Sequence, residues 1–469
     1  MLNHLPKYFS SKAIGLYLIL LVIVNLYFYN YVLAPVWWIF GVVEVVGFFY
    51  FSSLLTKKWV VYSPKLFTKK VFKMALIIRL IWVVVSYFFY IYMTGQPFEF
   101  GSADAFNYHT RALWIRGLVE IPYLDPYFDF VSEGSSDVGY PTYLTFIYFL
   151  TDNSILLARL IKAVIGAYMC VLVYRLATRN FDENVGRIAA IFCMLMPNLI
   201  LYSGLHLKEV EMVFLSVWFV ERADFVIRTK NYKFWYILPV FLIGLSLFFF
   251  RTVLGATAVF SFITAILFSK KQVISTMKRL VLATWILMAG LYLVGGRIAT
   301  EVEAVWQDKE LNQAKSLEWR ATREGGNIFS DKLSKAVFAP LIFVIPFPTI
   351  VEVPGQENQE LINGGNFVKN ILAFFFIYSM ILLFLRRKWR DNILLLTFTL
   401  GYLIVIAMSA FAQSERFHQP ALPFLLIFAA LGVTGIGNKD KKLFIWYLAI
   451  IFVAIILWSW FKLAGKGLL

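Results

Sequence analysis

Charged residues are scarce in this sequence. Only 15% of its 469 residues are Asp, Glu, Lys or Arg, whereas 60% are hydrophobic and 18% are aromatic. A soluble domain is typically about 45–50% apolar and about 25% charged. The scarcity of charge therefore excludes an ordinary soluble domain and indicates a polytopic membrane protein, whose organisation is found by counting membrane spans.

Cysteine and histidine are also rare, with two and four copies. Cys170 and Cys193 both lie in apolar runs, which predicts small core residues and no disulfide framework or metal motif. The sequence contains no Walker-type loop, dinucleotide fingerprint, Ser-His-Asp signature or zinc pattern. These absences argue against the common nucleotide-dependent and zinc-dependent enzymes. The sequence indicates no cofactor, and a divalent cation held by carboxylates is left open.

The basic residues outnumber the acidic ones, giving a formal net charge of +16. They occur in short clusters between apolar runs, which is typical of cytoplasmic loops that contact an anionic leaflet. We therefore expect the lipid bilayer, and no nucleic acid, as the partner of this charge.

The apolar runs predict an all-α polytopic membrane protein with about 13 transmembrane helices. About 20 apolar residues cross a bilayer, and a lipid-facing backbone must satisfy its own hydrogen bonds. The predicted spans are 13–33, 35–55, 74–94, 155–177, 185–203, 207–227, 234–250, 252–269, 280–297, 367–386, 392–412, 419–437 and 443–461.

The distribution of lysine predicts which loops face the cytoplasm. Residues 57–73 contain six lysines and no acidic residue, so they are placed inside. Counting spans from there places the two large loops, 95–154 and 298–366, on the extracytoplasmic side. The first loop carries a short apolar segment, 141–151, that we expect to form an interfacial helix. The second carries 336–350, which we expect to be an interfacial or re-entrant segment.

Four parts of the chain follow from this topology. The predicted parts are 1–73, with two additional N-terminal spans and the basic loop; 74–297, a transmembrane module that includes the outer loop 95–154 and is expected to carry any catalytic site; 298–366, the second outer loop; and 367–469, the C-terminal spans.

The polar segment 101–111 interrupts the apolar pattern directly after a span. A helix that begins at Ser102 would place Asp104, Tyr108 and Arg111 on one face. A carboxylate at the membrane surface could accept a proton from an attacking hydroxyl or amine. Alternatively, Asp104 only stabilises the helix N-terminus and Arg111 is its solvated partner.

A second polar group lies where one predicted span ends and the next begins. His206, Lys208 and Glu209 are placed at the outer interface, where ionisable groups are costly and are functional candidates. Lys208 could contact a phosphate as a point charge, with His206 beside it. The alternative is a turn in which lysine and glutamate neutralise each other.

Basic residues recur at the same outer rim. Arg251 and Arg416 could bind a phosphate or pyrophosphate leaving group through their planar guanidinium groups, and His418 lies close to Arg416. Arg251 could instead only reach the lipid headgroups. Arg159 is a further candidate near the outer start of its span. Because a transporter places its polar groups near the midplane, this one-sided distribution favours chemistry at the membrane surface.

Short motifs follow one another in a set order over residues 74–437. They are 102–108 (SADAFNY), 139–141 (GYP), 158–160 (ARL), 195–197 (LMP), Arg251 after an apolar run, and 416–423 (RFHQPALP). This order resembles the C-type glycosyltransferase superfamily, and within it the branch of protein O-mannosyltransferases and lipid A aminoarabinose transferases. The resemblance implies a polyprenyl-phosphate sugar donor and inversion at the anomeric carbon.

The resemblance also implies roles for residues. Asp104 matches the family's general base in the first outer loop, and Lys208, Arg251 and Arg416 are positioned to bind the lipid phosphate. Ala103 and Ala105 flank Asp104 where the family has a paired acidic residue, so no metal is implied. The expected acceptor is an unidentified glycan, lipid or protein.

Two other functions are alternatives to this one. An O-antigen-type polysaccharide polymerase or ligase would use a pyrophosphate-linked glycan and would need Arg251 and Arg416 but not Asp104. A flippase or transporter of lipid-linked sugars would not need Asp104 as a base. The compact loops, without an appended lumenal domain, favour a bacterial inner membrane, with the site facing the periplasm or exterior.

Overall fold

The computed structural model describes residues 3–132, 138–229, 234–268, 346–409, 414–437 and 440–464, together with 284, 288, 303, 344 and 466–468. Nearly all of the predicted span 280–297 lies outside the described residues, as does most of the predicted loop 298–366 with residues 336–343 of its interfacial segment.

Helices make up the regular structure of the described residues, and no β-strand occurs in these ranges. The chain is an all-α polytopic membrane protein, as predicted. Its α-helices are α1 Lys7–Tyr27, α2 Pro35–Lys58, α3 Pro64–Thr94, α4 Ala103–Glu120, α5 Asp125–Ser132, α6 Gly139–Thr151, α7 Ile155–Asn180, α8 Glu183–Leu195, α9 Pro197–Leu201, α10 Glu209–Thr229, α11 Phe234–Phe250, α12 Thr252–Phe268, α13 Glu357–Leu361, α14 Asn363–Leu385, α15 Ile393–Met408, α16 Glu415–His418, α17 Leu422–Gly435 and α18 Asp440–Ala464.

Local sequence signals explain where α3 begins and ends. The Ser63 hydroxyl accepts a hydrogen bond from the Leu66 amide, and Pro64 occupies the first helical position, where its missing N–H costs nothing. Gly95 ends the helix with a left-handed conformation (φ 74°), which a residue without a Cβ adopts easily. The span therefore stops just before residues 96–102, which lead into α4.

Eight described helices are long and apolar enough to cross a membrane, or nine if the bent pair α8 and α9 forms one span. The bend of 53° falls at Pro197, which cannot donate a backbone hydrogen bond. Arg79 donates to the carbonyls of Cys193 and Met194 at this break, so its role is structural. Every predicted span except 280–297 overlaps a described helix, although 185–203 is divided between α8 and α9 and the helices at 234–250 and 252–269 are short for a crossing. The number of crossings stays a prediction.

The helices pack through close contacts and aromatic side chains. Helix α14 packs along α17, where a Cβ at Gly432 would overlap the Phe375 backbone, so only glycine allows this approach. Cys170 and Cys193 are buried and free, with their sulfur atoms 3.7 Å apart between α7 and α8. Both thus occupy core positions, as predicted.

The structure groups the predicted loops at two separate ends. At one end, Asn358 donates to the Phe100 carbonyl (2.6 Å), which joins the two predicted outer loops. Lys462 near the end of α18 contacts Gln359 at this same end (2.7 Å). At the other end, Arg228 donates to the Asp391 carbonyl (2.9 Å), which joins two loops predicted to be cytoplasmic. The grouping agrees with the predicted arrangement, whereas the side that faces the cytoplasm stays a prediction.

Labelling with a membrane-impermeant maleimide would test this arrangement. We expect Tyr123→Cys and Lys466→Cys to react from one side of the membrane and Lys65→Cys from the other, because the first two positions share an end of the molecule. Cys170 and Cys193 are buried, so the unsubstituted protein is the control for background labelling. Reaction of positions 123 and 466 from opposite sides would contradict the fold described.

Candidate active site

Asp104 lies in the first turn of α4, at the end of the molecule where the predicted outer loops meet. Its side chain is 55% exposed and accepts a hydrogen bond from the Arg416 guanidinium. A carboxylate is favourable at a helix N-terminus, where backbone N–H groups carry partial positive charge. Ser102 precedes the helix but its hydroxyl does not cap it.

Arg416 joins three distant segments of the chain. Its Nε donates to Glu209 at the start of α10, while a terminal nitrogen donates to Asp104. Glu209 is only 1% exposed, so the guanidinium connects a buried carboxylate to an exposed one. Charge-assisted hydrogen bonds of this kind are shorter and stronger than neutral ones. Arg416 therefore fixes the position of Asp104 relative to α10.

A cleft of about 340 Å³ opens beside Asp104 and Arg416. Its lining combines carboxylates, amides, hydroxyls, one guanidinium and apolar or aromatic side chains. The lining residues are Glu99, Phe100, Gly101, Ala103, Asp104, Tyr202, Leu205, Leu207, Pro346, Phe347, Asn358, Gln359, Asn366, Ser414, Glu415 and Arg416. Nine of these sixteen residues are polar or charged, so the cleft is more polar than the mainly apolar wall of a usual small-molecule site.

Two buried cations on α7 hold the loops that form the cleft. Arg159 donates to the Pro97 carbonyl, and Lys162 donates to the carbonyls of Leu205 (3.1 Å) and Leu207. Neither cation is exposed to solvent, and Lys162 lies 3.7 Å from the Glu211 carboxylate. Arg159, a sequence candidate, thus lies behind the cleft and acts on the backbone.

Lys208 and Arg251 lie next to this group. Lys208 is 2% exposed and donates to the Phe250 carbonyl (2.9 Å). Burial, with a smaller contribution from the neighbouring Arg251, lowers the pKa of Lys208 to about 7. The Arg251 guanidinium lies over the Phe417 ring at 4.2 Å, adjacent in sequence to Arg416. Arg251 therefore lies beside the segment that carries Arg416.

The two histidine candidates lie outside the cleft lining. His206 is fully buried, and its Nε2 lies 3.0 Å from the Tyr148 hydroxyl. His418 is also buried, and its Nδ1 lies 2.8 Å from the Nζ of Lys369 on α14. Although close in sequence to Lys208 and Arg416, both are directed into the protein.

Tyr108 lies one helical turn after Asp104 and beside Lys208, whose Nζ is 5.9 Å from the Tyr108 ring, whereas Arg111 does not converge with Asp104. Tyr108 is buried with its ring 5.0 Å from that of Tyr140, whereas Arg111 is exposed and lies over Phe130 at 5.3 Å. Two helical turns separate Asp104 from Arg111, and a rise of about 1.5 Å per residue keeps their side chains apart. Arg416 is the partner of Asp104 in place of Arg111.

Sequence reasoning missed four charged residues near the site. Glu99 and Glu415 line the cleft, and burial raises the pKa of Glu99. Lys162 and Lys369 are buried within apolar helices. The rule that an ionisable residue inside a span is a functional candidate would have identified both lysines, because each interrupts an apolar run.

Metal ligands do not cluster in the part of the chain that the structure describes. Within it, no group of three or more His, Cys, Asp or Glu side chains could hold a metal ion. The nearby carboxylates Asp104 and Glu209 are instead bonded to Arg416.

Comparison with known proteins finds only remote similarity. No family model and no curated protein matches the chain. The chain is similar to an archaeal oligosaccharyltransferase, AglB from Archaeoglobus fulgidus, solved in complex with an inhibitory peptide and a dolichol-phosphate; the identity is 14%, the TM-score 0.35, and the match covers 70% of this chain and 47% of that one. The chain is also similar to the apo form of the Archaeoglobus fulgidus oligosaccharyltransferase, with 14% identity and a TM-score of 0.33. That match covers 66% of this chain and 44% of the other. The chain thus spans less than half the length of these structures.

Substitution of Lys162 should destabilise the protein strongly. Lys162→Met leaves Glu211 as an unpaired buried charge and removes the donor to two carbonyls, and breaking such a pair costs about 3–5 kcal/mol. Adding Glu211→Gln should recover part of the loss. Unfolding in mixed micelles measures both, with the exposed Lys12→Met as control. A loss of less than about 1 kcal/mol for Lys162→Met would contradict this account of the pair.

Proposed function

We propose that this membrane protein is a glycosyltransferase that moves a sugar from a polyprenyl-phosphate donor to an acceptor, with Asp104 as the general base. The observation that carries the proposal is the cleft beside Asp104 and Arg416, which places an exposed carboxylate, a cation and amide side chains together. The cleft lies at one end of a bundle of apolar helices, where a lipid-anchored substrate would present its polar group.

The chemistry of the lining suits a carbohydrate. Sugar hydroxyls both donate and accept hydrogen bonds, and the amides of Asn358, Gln359 and Asn366 offer both functions in one side chain. Phe100 and Phe347 add aromatic surface on which the apolar face of a sugar ring could pack. A volume of about 340 Å³ is at the small end of ligand sites, which favours a single sugar over a large glycan.

Arg251 and Arg416 are the candidates for direct contact with the lipid phosphate. The Arg416 guanidinium lines the cleft, whereas the Arg251 guanidinium lies over Phe417, the residue that follows Arg416 in sequence. Arginine presents planar paired donors that match phosphate oxygens. Lys208 is buried behind them, so we propose that its positive charge attracts the phosphate at short range without direct contact.

The proposed reaction is a single displacement. An acceptor hydroxyl attacks the anomeric carbon, its proton passes to Asp104, and a new C–O bond forms while the bond from that carbon to the phosphate oxygen breaks. The polyprenyl phosphate leaves with the electron pair, and its growing negative charge is stabilised by Arg251 and Arg416. Attack opposite the leaving group inverts the configuration at the anomeric carbon. We place this chemistry on the extracytoplasmic face, in a bacterial inner membrane.

Removal of the Asp104 carboxylate tests the central assignment. Asp104→Asn should lower transfer by about 10²–10⁴-fold, which is the usual contribution of a general base. The measurement is transfer by the protein reconstituted in lipid with a panel of polyprenyl-phosphate sugars. Asp125→Asn is the matched control, because Asp125 also lies in the first turn of a helix in the same loop.

Three results would replace the proposal. Full transfer by Asp104→Asn would show that Asp104 is not the base. Transfer only from pyrophosphate-linked glycans would indicate a polymerase or ligase. Movement of the lipid-linked sugar across the membrane without any transfer would indicate a flippase.

The pH profile tests the contribution of Lys208. Because its pKa is about 7, the ammonium loses its proton above pH 7, and the attraction for the donor phosphate should fall with it. We expect kcat/KM, which reports groups of the free enzyme, to decline above about pH 7. Lys208→Arg keeps its charge at this pH and should move the decline upward. Lys73→Arg is the control, and identical profiles for all three proteins would remove Lys208 from the site.

A further inference from the structure

One hydroxyl group lies between two histidines near the candidate site. The Tyr148 oxygen is 2.6 Å from Nδ1 of His109 and 3.0 Å from Nε2 of His206. Tyr148 and His206 are fully buried and His109 is half-buried. The proposed reaction uses none of these three side chains.

The hydrogen bonds from His109 through Tyr148 to His206 connect two segments that also meet at Arg416. His109 lies on α4, five residues after Asp104, and His206 lies three residues before Glu209. Arg416 bonds to both Asp104 and Glu209, so the segments are joined at their outer ends by a guanidinium and further inside by the Tyr148 hydroxyl. Hydrogen bonds at two separate places restrict rotation of one segment about the other more than hydrogen bonds at one place would.

We propose that Tyr148 is a positioning residue, whose hydroxyl couples the helix that carries Asp104 to the turn that carries Lys208 and Glu209. The coupling itself depends only on the hydrogen bonds, whereas its meaning for catalysis rests on the proposed glycosyltransferase function.

The surroundings of His206 indicate which atoms donate and which accept in the hydrogen bonds of Tyr148. Its Nδ1 has no hydrogen-bond partner among the described residues. An orphaned buried N–H is rarer than an orphaned acceptor, so the proton of His206 belongs on Nε2. His206 then donates to the Tyr148 oxygen, and Tyr148 donates its own proton to Nδ1 of His109.

The arrangement requires a neutral His109, and the lack of a partner for Nδ1 of His206 among the described residues favours a neutral His206. Burial lowers the pKa of His206 well below its usual value, and Lys162 and Arg159 of α7 lower it further. Burial also lowers the pKa of His109. A proton on Nδ1 of His109 would remove the acceptor of the Tyr148 hydroxyl, so the neutral state is the one that keeps both hydrogen bonds.

A matched control lies on the same helix. The Tyr143 hydroxyl is buried and has no hydrogen-bond partner among the described residues. Tyr143→Phe therefore removes the same atom from α6 without breaking a bond, whereas Tyr148→Phe breaks two.

Two measurements that need no substrate test the coupling. The chain has four histidines, so ¹⁵N-histidine labelling gives few signals in solid-state NMR of the protein in lipid. We expect Tyr148→Phe to shift the Nδ1 signal of His109 and the Nε2 signal of His206, and Tyr143→Phe to shift neither. In hydrogen exchange, amides 104–112 and 205–208 should lose protection by about tenfold in Tyr148→Phe only.

A third measurement links the coupling to catalysis. With a polyprenyl-phosphate sugar that the wild type uses, Tyr148→Phe should lower kcat about tenfold and leave KM for the donor nearly unchanged, because the base is displaced but the phosphate contacts remain. Unchanged kcat with altered exchange would overturn the positioning role. Unchanged NMR and exchange would overturn the coupling as well.

Failure of the two proposals can be told apart. If the wild type transfers no sugar but Tyr148→Phe still changes the NMR signals and the exchange, the coupling stands and the glycosyltransferase function falls. If Tyr148→Phe does not fold, His109→Gln removes the half-buried histidine that bonds to the Tyr148 hydroxyl. This variant should give the same loss of protection over 104–112.

Discussion

Two buried cations near the N-terminus of α7 support the backbone on which the candidate site is built. Arg159 and Lys162 are three residues apart, so they share a face of the helix. One donates to a carbonyl of the loop before α4, and the other donates to two carbonyls of the turn before α10. Buried loop carbonyls need donors wherever no secondary structure supplies them. These two side chains allow irregular backbone to lie inside the helical bundle.

Their position is electrostatically unfavourable, which suggests what they are for. Burial imposes a desolvation cost that a partner must offset, and Lys162 obtains part of this from Glu211 and from the Tyr140 ring at 4.8 Å. Hydrophobic residues of similar size would serve packing better. We therefore interpret the two cations as supports for these loops, which in turn position Asp104 and Glu209.

The sequence predicts the elements of this protein better than it predicts their contacts. Apolar run length and capping residues locate the helices, because each depends on neighbours in the chain. Asp104 is identified in the same local way, as an acid that follows a span. Its partner Arg416 is 312 positions away, and nothing in one sequence indicates which of several outer-rim cations it meets. Tyr148 is harder still, since a tyrosine in an aromatic-rich helix has no sequence signal of its own.

The bond between Asp104 and Arg416 bears on the order of events in the proposed reaction. Without a donor, the candidate base is bonded to one of the two cations assigned to the donor phosphate. A phosphate that reaches Arg416 would compete with Asp104, while the buried Glu209 on Nε would hold the guanidinium in place. Donor binding would then release the Asp104 carboxylate toward the acceptor, so the base becomes available only when a sugar is present. In this arrangement the same arginine orders the binding of the donor before the transfer of the proton.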